Sequence, residues 1–202
     1  MLNRRQRRVR VRIQDDKYLY PGFDDAVEPN QSGRGTDELH PEVGLSDPNV
    51  YIGNVRHHVL SITRSSRDVT LTACTFTYGS AIEESDGSFS AIVGEAFVPS
   101  PRIYPMRIGL RAPEEMQSTL PPQEGFSRAP FDNVFAGWKI TSHQGGYLST
   151  SRWPEYDRDR AACIAIAKGS PGSERIHPHV PSPPSDFPTL PANPGWPVKP
   201  GT

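Results

Sequence analysis

Residues 67–79, RDVTLTACTFTYG, restrict the possible folds of this chain more than any other stretch. β-Branched and aromatic side chains dominate it, a charged pair opens it and a glycine closes it, a composition that predicts a half-buried β-strand. Val69, Leu71 and Ala73 fall on one face at period two, whereas Cys74, Phe76 and Tyr78 carry the apolar series on the other. That change of phase requires either a β-bulge near Ala73 and Cys74 or a strand covered on both sides. The expectation is a central strand that carries a bulge.

The neighbours follow from turn chemistry. DPN at 47–49 precedes VYIGNVRHHVLSIT, a second strand that ends at Thr63, and RSSRD then joins it to the central strand as an antiparallel hairpin. Ser85, Asp86, Gly87 and Ser88 form another hairpin turn, which leads into a strand expected over 89–98. Beyond Pro99, Pro101 and Pro105, Met106, Ile108 and Leu110 alternate with Arg107, Gly109 and Arg111, a strand with one wet face. EEMQSTLPPQEG is a surface loop, and FDNVFAGWKITSHQGGYLST supplies the last strand or two, with Trp138 and Ile140 on one face and a bend at Gly145 and Gly146.

One helix is expected, from about Trp153 to Ala167. Thr150 or Ser151 can cap it, Pro154 suits its first turn, Glu155, Asp157 and Asp159 suit the positive dipole end, and Lys168 with Gly169 marks its stop. Tyr156, Arg160, Cys163, Ile164 and Ala167 share one face, which should pack on the sheet. Cys163 therefore points inward toward the strand that holds Cys74, and a helix on a sheet brings such positions within disulfide range. The alternative is a pair of buried free thiols. A bridge would persist only in an oxidising compartment, so it implies an extracellular or cell-envelope protein.

Length and charge bound the rest. With 202 residues, 35% of them hydrophobic, the chain supports one core of ordinary size. The expected division is an arginine-rich, poorly ordered segment over 1–46, an α+β domain over 47–169 and a proline-rich extended tail over 170–202. Tyr18 to Val27 should dock on the core.

Lysine and arginine number 22 against 23 acids, so no global field recruits nucleic acid. Arg4, Arg5, Arg7, Arg8, Arg10 and Arg12 crowd the N-terminus. Without interleaved aromatics they suggest a solvated arm or a mis-set start more than a nucleic-acid grip. No secretory leader is visible behind them, and no apolar run approaches the roughly 20 residues of a membrane span. From Ser170 the composition collapses into proline, serine and glycine, with ten of the 22 prolines between Pro171 and Pro200. Regular structure should not persist at that density. Phe187, Leu190 and Trp196 then belong to a docking peptide, to a strap over the domain or to a disordered end.

Motifs for chemistry are sparse. No metal site, cofactor or catalytic set is expected. His57 and His58 point to opposite faces of a strand, so both cannot serve one metal. The candidate pocket gathers His58, Asp132, Trp138 and His143, a histidine and carboxylate set able to do acid and base work. Surface histidines and one hydrogen-bonded histidine are the plainer account. The segments DPNVYIGNVRHHVLSIT, VTLTACTFTYGS, APFDNVFAGWKITSHQGGYL and FPTLPANPGWP resemble uncharacterised secreted or lipoprotein-like proteins of mycobacteria and related actinobacteria, over about residues 47–196. In that group a strand ending in cysteine and a later strand ending in tryptophan and a basic residue are similar to parts of the nuclear-transport-factor-two-like, or cystatin-like, α+β cone.

Local alternation and the hairpin turns predict an α+β domain in which a strongly bent antiparallel sheet of four to six strands is covered by the C-terminal helix, and the resemblance implies a cone of that kind. It implies export, and it transfers no catalytic residue. The expected function is a non-catalytic secreted or envelope protein that binds a protein partner or a small apolar ligand, its oligomeric state open. A cone-fold cyclase, isomerase or dehydratase that uses a pocket histidine and a carboxylate is the alternative.

Overall fold

Strand β3, Asp68–Phe76, pairs along its whole length on both sides, with β2, Arg56–Ser65, and with β6, Ile103–Arg111. The computed structural model describes residues 19–30, 35–40, 50–91, 102–115, 123–145, 153–170, 181–193 and 195–201. β7, Lys139–Gln144, completes an antiparallel main sheet in the order β2-β3-β6-β7. β3 is central, as expected, but the bulge is not in it. The β3–β6 register runs without a shift, whereas the β2–β3 register shifts between Val59 and Ser61, leaving Leu60 as the extra residue. β3 changes phase because both of its faces carry apolar residues.

The expected strand ending at Thr63 is two strands. β1, Tyr51–Gly53, leaves the main sheet and pairs with β4, Ser80–Glu83, in a second sheet that β5, Phe89–Ala91, and β8, Pro181–Ser182, complete in the order β1-β4-β5-β8. The break lies where Gly53, at φ 83°, meets the other arm: a Cβ there would sit 2.1 Å from the Gly79 carbonyl oxygen. Only glycine accepts that backbone and that contact. One bent sheet is thus two four-stranded antiparallel sheets in an α+β fold. The Ser85–Ser88 turn forms as read, with Gly87 N–H donating to Glu84 O, and it leads into β5, Phe89–Ala91. The remainder of the strand expected over 89–98 lies outside the described residues.

β6 begins earlier than the prolines suggested and includes Pro105, paired with Cys74. β7 ends at Gln144 opposite Arg107, two residues short of Pro105, so proline occupies a stretch where β6 lies beyond its β7 ladder.

N-terminal to these strands, α1, Phe23–Ala26, is a single turn. Ala26 and Val27 are buried and Val27 bridges Ile140, which docks this segment on β7; Tyr18 lies outside the described residues. A 3-10 turn at Thr36–Leu39 reaches β7 as well.

Helix α2, Tyr156–Ala167, starts three residues later than the sequence suggested and has no side-chain cap; its proposed caps lie outside the described residues. Trp153, Pro154 and Glu155 form the turn before it, closed by Tyr156 N–H to Trp153 O. α2 packs on β6 and β3. Cys74, Phe76, Tyr78, Ile103, Cys163 and Ala167 make one core cluster, with Leu60 and Ile164 against it.

The tail departs most from expectation. β8, Pro181–Ser182, pairs with β5, and a 3-10 turn follows at Pro184–Asp186. Phe187 is 2% exposed and forms a second core with Ala81, Ile52 and Phe89. The Asn54 side chain then clamps the tail like a peptide group, donating to Pro188 O at 2.5 Å and accepting from Leu190 N–H at 3.2 Å. Farther along, Trp196 and Ser127 exchange backbone bonds of 2.9 and 3.0 Å. Gly195 lies so near Gly125 that a Cβ would stand 1.9 Å from its carbonyl oxygen. Proline removes donors but not acceptors, and this strap docks through its carbonyls, the N–H groups of its non-proline residues Leu190 and Trp196, and one buried aromatic anchor.

Candidate functional site

Cross-strand partners share a sheet face, so the register sorts every side chain of the main sheet into one of two sets. Cys74 marks the face toward α2, because its sulfur is bonded to Cys163 with the two Cα atoms 5.4 Å apart. The rows of the other face are Val59–Ala73–Met106, Ile62–Leu71–Ile108–His143 and Arg64–Val69–Leu110–Ile140.

The α2 face is closed over the cluster of Cys74, Phe76 and Ile103, while its β2 residues Arg56, His58, Ser61 and Thr63 are exposed. Trp153 is 1% exposed and its Nε1–H donates to Asp159 Oδ2 at 3.1 Å, while Arg158 sets its Nε and Nη2 on Asp159 Oδ1 at 3.0 and 2.8 Å. Arg107 lies over the Trp153 ring, 5.2 Å from its centroid, and 3.7 Å from Glu155. The buried carboxylate so satisfied fixes Trp153 on the first turn of α2, and the contacts of Arg107 with Trp153 and Glu155 tie that turn to β6. Burial pushes the Tyr156 phenol up from its ordinary value, with the Arg160 charge opposing. Arg160 Nε and Nη2 are buried without an acceptor from the protein. A guanidinium edge that shows essentially no accessible surface has no room for a ligand, so it is no binding site.

The opposite face is open by comparison. Val69, Leu71, Met106, Ile108, Leu110 and Ile140 are only half-buried, and Val59 and Ile62 are 51% and 64% exposed. α2 contacts β3 and β6 from the other side, and α1 and the Thr36–Leu39 turn make their contacts at β7. Eight aliphatic side chains from four adjacent strands therefore form one apolar surface among the described residues. The sequence held all eight, but not the register that aligns them.

The sequence-derived pocket does not assemble. His58 pairs with Cys74 and lies on the α2 face of one edge strand, exposed, whereas His143 pairs with Ile108 on the other face of the opposite edge strand, 7% exposed. Three inter-strand gaps separate them, about 14 Å at about 4.8 Å each. Asp132 is exposed in the connection before β7, and Trp138 is half-buried beside it. His57 sits on the open face, its Nδ1 3.3 Å from Thr75 Oγ1. The described residues contain no group of three or more His, Cys, Asp or Glu side chains able to hold a metal ion, and no helix long and apolar enough to cross a membrane. Comparison with protein-family models, with curated proteins and with solved structures yields no match.

Proposed function

We propose that this chain is a binding protein, not an enzyme, that acts in the cell envelope or outside the cell and holds an apolar small molecule or the apolar surface of a partner on the sheet face opposite α2. The observation that carries this reading is the half-exposed aliphatic surface of Leu71, Met106, Ile108, Leu110 and Ile140, continued to the edge by Val59 and Ile62. Contiguous exposed apolar patches are uncommon on monomers and mark interaction sites. The Cys74–Cys163 pair supports the compartment, since such bonds persist under oxidising conditions. The resemblance to secreted actinobacterial proteins points the same way.

Protein purified from its own host and sprayed under native conditions tests this reading. Wild type is expected to carry a bound apolar mass or a co-purified protein, and Ile108→Lys is expected to lose it. An unliganded wild type, or equal retention by Ile108→Lys, would overturn the proposal.

A further inference from the structure

β2 is the outer strand of the main sheet, ten residues long, and every residue of it except Leu60 is exposed. Long edges are ready templates for another strand. Its charge is one-sided: RHHVLSITRS contains Arg56, Arg64 and two histidines and no acid. The bulge at Leu60 brings Val59 and Ile62, three apart in sequence, onto one face, so that His57, Val59, Ile62 and Arg64 form a single column beside Thr75, Ala73, Leu71 and Val69. The column is cationic at Arg64 and apolar in the middle. Arg64 is held in place by Nε–H donation to Ser66 O at 3.0 Å.

We infer that β2 receives an extended segment of an acidic partner protein as a fifth strand. In that segment one face reads acid, apolar, apolar, acid at alternate positions. Seven residues of a regular strand span this column, as Val69 to Thr75 do in β3, which gives the pattern Glu-x-Val-x-Val-x-Glu. The acids meet Arg64 and the His57 end, and the valines cover Val59 and Ile62. Backbone bonds supply affinity and the alternate side chains supply selection. Charge decides against a second copy of this chain: either direction of β2 pairing sets arginine and histidine against arginine, histidine or neutral residues, with no acid to relieve them. This inference concerns the edge and goes beyond the apolar face proposed above.

The test uses the full chain and the probe acetyl-Glu-Thr-Val-Thr-Val-Thr-Glu-amide bearing a fluorophore, followed by anisotropy. The acidic probe is expected to bind about tenfold more tightly than its Lys-for-Glu counterpart, and to weaken as salt rises. Arg64→Glu is expected to reverse the preference, and Ile62→Lys to weaken the acidic probe about tenfold; both side chains are exposed, and an unchanged melting midpoint verifies the fold. Equal binding of the two probes, no binding of either, or indifference to Arg64→Glu would overturn the inference. So would a salt-stabilised dimer in sedimentation that the probe does not dissociate. Ile108→Lys should leave probe binding intact, which separates failure at the edge from failure on the face.

Discussion

On the α2 side of the main sheet Cys74, Phe76 and Ile103 are at most 6% exposed, whereas on the other side Val69, Leu71, Met106, Ile108 and Leu110 stay half-buried and Ile62 is 64% exposed. Both faces are built from aliphatic and aromatic residues of the same strands. What differs is the cover: α2 brings Cys163, Ile164 and Ala167 onto one face, fastened at its start by the Trp153–Asp159 bond and at its middle by the disulfide. Hydrophobic residues become a core only when a second element is held against them, and among the described residues no helix packs on the other face of β3 and β6.

Breaking the cover should therefore cost most. Replacing Cys74 and Cys163 with serine opens a loop of sequence separation 89, and the chain-entropy relation gives a loss of about 4 to 5 kcal/mol. Denaturant unfolding of the double variant against wild type measures it. Removing the second core comes next. Phe187→Ala should lower stability by about 3 to 5 kcal/mol, and deletion of residues 181–202 should lower the melting midpoint by well over 10 °C, because Phe187, Asn54 and the β5–β8 pairing fail together. Asp159→Ala should cost about 2 kcal/mol or more by leaving the buried Trp153 N–H without its acceptor.

Matched substitutions on the two faces sharpen the contrast. Ile103→Ser, 6% exposed on the α2 face of β6, should destabilise by about 2 kcal/mol or more, while Ile108→Ser, half-buried on the other face of the same strand, should cost less, about 1 kcal/mol, because less area is withdrawn from contact. Equal costs would mean that the two faces are equally covered. The smallest change concerns the β2–β3 turn, where Ser66 sits at φ 55°. Ser66→Gly should raise stability by about 0.5 kcal/mol by relieving that conformation.

Much of the helix-side face was legible in the sequence. The period-two run of β3 and the 3.6-residue spacing of Tyr156, Cys163 and Ala167 are local patterns, and together they point Cys74 and Cys163 toward each other, as the bond between them bears out. Sequence alone places the bulge in β3 because a slip in phase and a strand apolar on both faces look alike in one dimension; the shift at Leu60 emerges only from pairing. The pocket of His58 and His143 failed for a similar reason, since their faces depend on the register of three ladders. Proline density argues against ladders, yet a two-residue β8, bonds of Leu190 and Trp196 and one buried Phe187 dock the tail.

The central claim is that the face opposite α2 is a binding surface, and the most direct test is a titration with the neutral apolar fluorophore N-phenyl-1-naphthylamine. Saturable enhancement is expected with wild type, and at least about tenfold weaker binding with Leu71→Ser/Ile108→Ser at an unchanged fold, since two aliphatic contacts of about 1 kcal/mol each are removed. No saturable binding to wild type, or the same affinity in the double variant, would contradict the account.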